Sequence, residues 1–106
     1  MTLDRLGYLQ SMNPAAEQAL GYHAAEVIGK HIAKSGMIAS DSVAKTLQEF
    51  TLTLLGWQRP PFPLHILRKD QSSLILEANP RLIRRERENV RVQVTLHQVM
   101  PQQEAA

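Results

Sequence analysis

The chain has 106 residues, 43% of them hydrophobic and 21% charged, with a formal net charge of +2. That composition suits one globular domain around one core and excludes intrinsic disorder. Cysteine is absent, which excludes disulfides, thiolate metal sites and a cysteine-linked chromophore and is compatible with a reducing compartment.

No apolar run approaches the roughly 18–20 residues of a membrane span, and "MTLDRLGYLQ" is too short and polar for a signal peptide. The expected location is therefore the cytoplasm, with no membrane partner. Only five residues are aromatic, so the core must come mainly from Leu, Ile, Val, Ala and Met.

In "LDRLGYLQSM" apolar and polar residues alternate loosely, which predicts a strand from near Arg5 to near Met12. Asn13 is a good N-cap and Pro14 suits a first helical turn, so "PAAEQAL" reads as a two-turn helix stopped by Gly21. "HAAEVI" gives one further turn before Gly29. Helices this short survive only when tertiary packing holds them, because nucleation is costly.

A longer helix, "SDSVAKTLQEFTLTLLG", follows from Ser40, with Ser40 or Asp41 as its cap and Gly56 as its end. Val43, Leu47, Phe50 and Leu54 form its expected core stripe. "WQRPPFP" reads as a connection, since three prolines remove donors and fix φ. "LHILRK" and "SSLILEA" then flank the turn "KDQS" as a hairpin.

Asn79-Pro80 predicts a bulge or bend, and "RRERE" a solvated hairpin tip. In "NVRVQVTLHQV", Val90, Val92, Val94 and Leu96 share one face, and Arg91, Gln93, Thr95 and His97 the other. The order is strand, small helices, a longer helix, then three strands. That is an α+β domain with an antiparallel sheet covered on one face by helices.

The stretch "GYLQSMNPAAEQALGYHAAEVIGK" resembles the start of a PAS domain: Asn-x-Ala, Leu-Gly-Tyr and Glu-x-Ile-Gly-Lys occur in order. Asp41 before the long helix and "KDQ", where the family usually has Lys-Asp-Gly, fit as well. The resemblance spans residues 1–100 and leaves 101–106 as a linker stub or tail. It implies a five-stranded antiparallel sheet whose short helices wall a central cavity. Three departures stand out: His23 replaces the usual Ser or Thr cap, Gln71 replaces the turn glycine, and "QVM" stands where Asp-Ile-Thr commonly follows the last strand. At Gln71 a different turn, built on Ser72 and Ser73, is expected because a left-handed non-glycine residue is costly.

The resemblance implies a non-catalytic sensory or regulatory domain of a signalling or transcription-regulating protein such as a histidine kinase. It would relay small-ligand binding or partner contact to an attached output domain. The alternative is a ligand-free interaction module that dimerises. No G-x-S-x-G elbow or phosphate loop is present. His23, His31, His65 and His97 lie in different elements and suggest no metal site.

Haem is disfavoured, because similar haem-binding PAS domains usually supply a proximal histidine from the long helix and residues 41–55 carry none, although His31 could approach the cavity. Covalent flavin is disfavoured by the missing cysteine. Non-covalent flavin stays open, with Trp57 the one indole to stack on it; the expectation is no cofactor. A small organic ligand would be lined by Leu47, Phe50, Leu54, Leu76, Val92 and Val94, with Met37 at the mouth and Trp57 beside the loop. A plain core would use the same residues.

Arg91, Gln93, Thr95 and His97 are the interface candidates, a polar face suited to weak or heterotypic contact rather than a tight apolar homodimer. Nucleic acid is not expected: Glu86 and Glu88 interleave Arg81, Arg84, Arg85, Arg87 and Arg91, and no aromatic platform accompanies them.

Overall fold

The computed structural model describes residues 1–84 and 90–98. The expected first strand is in fact two. Strand β1 (Thr2–Asp4) and strand β2 (Leu9–Ser11) form a hairpin about Gly7. Asp4 Oδ1 accepts from the N–H groups of Leu6 and Tyr8, both at 2.9 Å. Gly7 takes φ +93° and lies so close to His31 that a Cβ would meet the imidazole at 2.7 Å. The loose alternation hid a turn whose signal is Asp at the first position and Gly at the fourth.

Helix α1 (Pro14–Leu20) follows, capped by Asn13 Oδ1 on the Ala16 N–H at 2.8 Å and closed by left-handed Gly21. Helix α2 (Ala24–Val27) is one turn. As the departure at His23 implies, the imidazole makes no capping bond. Carboxylates replace it: Glu26 accepts from the His23 N–H at 2.8 Å and Glu17 from the Ala24 N–H at 2.6 Å. Lys69 joins Glu26 in an ion pair and its N–H donates to the Leu20 carbonyl, tying both short helices to the sheet. A 3₁₀ turn at Ile32–Lys34, not anticipated, is capped by His31 Nδ1 on the Ala33 N–H at 3.2 Å.

Helix α3 (Ser40–Leu54) is N-capped by Ala39, not by Ser40 or Asp41. The side chains nearest that end are used across the chain. Ser42 Oγ accepts from the His65 N–H at 3.1 Å, and Asp41 lies 3.2 Å from His65 Nδ1.

Strands β3 (Phe62–Leu67), β4 (Ser73–Arg84) and β5 (Val90–Gln98) complete an antiparallel sheet in the order β2-β1-β5-β4-β3. One face turns Leu3, Leu64, Ile66, Leu76, Ala78 and Val92 into the core against Leu20, Val27, Ile32, Met37 and Phe50. The free side of β3 is closed by the chain before α3, through Leu67 N–H to Met37 C=O and Ala39 N–H to His65 C=O. Residues 29–32 close β2 in the same way.

Two expectations are corrected along β4. Pro80 makes no bulge: the strand pairs continuously with β5 from Leu76 to Arg84. The N–H and C=O of Val94 are both engaged with Met1. The Pro80–Val94 pair therefore exchanges no ladder bond, and the missing donor falls on the other side, where β3 has not yet begun. At the β3–β4 turn Gln71 does take the left-handed conformation, φ +73°. Its N–H donates to Arg68 C=O, while Asp70 Oδ1 accepts from both the N–H and hydroxyl of Ser72. These bonds hold the turn in the shape a glycine would favour. The "RRERE" tip and the 101–106 tail lie outside the described residues.

Replacing Gln71 by Gly removes the left-handed strain and restores some chain entropy to the unfolded state. The balance is a gain of about 0.5–1 kcal/mol. A thermal melt should show Gln71→Gly raising Tm by a few degrees; a lower Tm would mean that the glutamine side chain stabilises the turn.

Candidate functional site

Helix α3 packs on the sheet with a face other than the one its apolar periodicity marks. Among Val43, Leu47, Phe50 and Leu54, only Phe50 is fully buried; Glu49 and Thr53 are buried with it. The face is Thr46, Glu49, Phe50 and Thr53, also a helical spacing. Its polar atoms are satisfied before they reach the core. Thr46 and Thr53 hydroxyls donate to the carbonyls one turn back, Ser42 at 2.7 Å and Glu49 at 2.8 Å.

Glu49, 2% exposed, is met by a fork from Arg59: Nε to Oε2 at 2.6 Å and Nη2 to Oε1 at 3.0 Å. Lys45 Nζ lies 3.2 Å from Oε1. The Arg59 bonds hold the Glu49 carboxyl below its ordinary range against the opposing effect of burial, with Lys45 assisting. Sequence reasoning missed this pair. Its signal was an acidic residue one position from Phe50 and an arginine ten residues on, at the start of the proline-rich connection.

Between this face and the sheet lies an apolar cavity of about 30 Å³, bounded by Met1, Leu3, Leu20, Ile32, Met37 and Ile38 beside α3 and the strands. Phe50, Val92 and Val94, with Met37, are the ligand candidates brought together there. Leu47 and Leu54 are half-buried and lie off the cavity lining, Leu54 packing against the core elsewhere. Leu76 is buried but borders a groove beside α1. Trp57 is 63% exposed and lines an outer cleft with Arg59, Pro80, Arg81 and Leu82.

A space of 30 Å³ holds one or two water molecules, whereas sites for organic ligands span roughly 300–1,000 Å³. Its lining includes no histidine, and it is too small for a porphyrin or an isoalloxazine. His31 does not approach the cavity; it stacks edge-on against Tyr8 at 5.2 Å. Among the described residues no group of three or more His, Cys, Asp or Glu gathers as a metal site. No helix among them is long and apolar enough to cross a membrane. Arg91, Gln93, Thr95 and His97 lie on the sheet face away from the helices, flanked by Thr2 and Asp4 on β1 and by Glu77, Asn79, Arg81 and Ile83 on β4.

A family model described as a PAS domain matches residues 1–99. The chain belongs to the PAS domain family. PAS domains are sensory and regulatory modules, generally without catalytic activity.

Solved PAS structures agree on the fold. A PAS domain from Desulfitobacterium hafniense superposes with TM-score 0.75 at 18% identity, covering 93% of this chain and 90% of its own. The PAS-B domain of Drosophila melanogaster Cycle, with bound ethylene glycol, gives 0.71 at 11%, covering 90% and 95%. The PAS domain of an HTR-like protein from Haloarcula marismortui gives 0.66 at 21%, covering 90% and 77%. No curated protein matches the chain.

In this PAS domain the pH dependence of stability should expose Glu49. Its folded pKa is depressed by Arg59, so the pair stabilises fully above the unfolded value of about 4.3 and fades as pH falls through the folded value. Urea melts of Glu49→Gln against the native chain should differ most at pH 7. The difference should shrink steadily below pH 4; a constant difference would assign the loss to packing.

Proposed function

We propose that this PAS domain is a non-catalytic regulatory module of a signalling or transcription-regulating protein, and that it relays partner contact to an attached output domain. The observation that carries the reading is the 30 Å³ apolar cavity: the core is packed nearly shut. A resident organic ligand would have to open a space some tenfold larger, at a cost in apolar contacts that its own burial must offset. Partner contact needs no such opening. A partner that binds one arrangement of the short helices or the connection after α3 better than another shifts the population by its differential affinity. Neither α1 nor α2 is stable alone, so both are suited to such a shift.

A second reading has one observation in its favour. Met1 and Met37 line the cavity wall, and methionine adapts to irregular contents. A small apolar ligand that opened the wall would give the same module a chemical input. Native mass spectrometry of the purified chain, repeated after denaturation, separates the two. The bare polypeptide mass is expected; a stoichiometric extra mass released on denaturation would establish the ligand reading.

A further inference from the structure

Along one stretch of the sheet, β4 has no backbone partner among the described residues on its outer side. Strand β3 begins at Phe62, opposite Ala78, whereas β4 continues to Arg84. Beyond Ala78 the β3 side of β4 is therefore open. The ladder phase shows which groups face that opening. Val94 spends its N–H and C=O on Met1. The pairs Pro80–Val94, Leu82–Val92 and Arg84–Val90 are thus of the non-bonded type, and their β4 backbone groups point outward. No backbone bond from a described residue reaches Leu82 or Arg84 on that side. The cleft of about 550 Å³ lined by Trp57, Arg59, Pro80, Arg81 and Leu82 runs along this edge.

The geometry points to strand addition: an extended acidic segment of a partner protein lies in the slot left by β3 and pairs with β4 at Leu82 and Arg84. Leu82 and Arg84 each offer an N–H and a C=O, and Pro80 a C=O only, which suffices for a short strand. Charge selects the occupant. The cleft lining contains two arginines and no carboxylate. Arg59 and Lys45 together outweigh their shared partner Glu49 by one positive charge. Arg81 and Arg84 take part in no ion pair among the described residues.

A second copy of this chain fits poorly, because it brings the same arginines and the same missing proline donor; proline and like charge blunt a sheet edge against itself. Trp57, 63% exposed at the rim, supplies an apolar anchor for an alternate side chain of the added strand. The inference rests on the partner-contact reading and names its surface.

The test uses the full chain and a capped, fluorescein-labelled hexapeptide of alternating glutamate and valine, with the lysine-valine peptide as control. Anisotropy should show the glutamate peptide binding about tenfold or more tightly than the control, with the gap narrowing at high salt. Amide exchange at Leu82 and Arg84 should slow on binding. Arg81→Glu combined with Arg84→Glu should weaken binding about tenfold or more while the thermal melt stays native-like, and Trp57→Ala should weaken it separately.

No binding, equal binding of the two peptides, or protection confined to other strands would overturn the proposal. So would a dimer in sedimentation with Leu82 protected in the free chain, which would make a second copy the occupant. The peptide failures would leave the partner-contact reading to other surfaces, and the dimer would keep that reading but replace the acidic strand with a second copy. A ligand mass in the native spectrum would instead remove that reading.

Discussion

A carboxylate buried against an apolar sheet constrains much of this molecule. Glu49 sits at the centre of the α3 face, almost free of solvent, and a lone ionised carboxyl there would cost several kcal/mol. Arg59 must therefore reach it. Arg59 lies in the connection to β3, so the demand fixes where that connection runs after the helix ends. A buried ion pair often adds little stability compared with apolar residues of the same volume. Its consequence here is geometric: it ties the connection to the buried face of α3, beside β4.

The remaining layers follow from similar local debts. Helices α1 and α2 are too short to satisfy their termini with backbone bonds alone, and the side chains of Asn13, Glu17 and Glu26 and the backbone N–H of Lys69 complete them. With those ends held, Leu20, Val27 and Ile32 are driven fully into the core, and little space remains between them and the sheet. The cavity is nearly filled, and one of the two short helices, through Leu20, forms part of its wall.

The sheet edges show the same economy. Residues 29–32 and 37–39 close the two outer strands with backbone bonds. Where the connection from α3 runs beside the cleft, β4 outruns β3, and there proline and arginines stand along the edge. Protection against self-pairing and recognition of an acidic strand call for the same residues, which is why one stretch can serve both.

Much of this was present in the sequence. Asn13-Pro14, Gly21 and the alternation of residues 90–98 specify local structure through caps and side-chain periodicity, so α1 and β5 could be read directly. The ordered motifs from Gly7 to Lys30 carried the PAS resemblance. Other features depended on partners distant in the chain. The β1–β2 turn was masked because Leu6 and Tyr8 interrupt its polar signal. Pro80 looked like a break because only the pairing partners reveal which side of the strand lacks a donor. Leu47 and Leu54 were cavity candidates by periodicity and Trp57 as the one available indole, yet Glu49 paired with Arg59 occupies the buried face of the helix and the indole lies outside. Periodicity weighs apolar against polar residues one at a time. It cannot register that a threonine bonded to its own helix and a glutamate paired across ten residues are fit for burial, because that is decided by where the tertiary structure brings their partners.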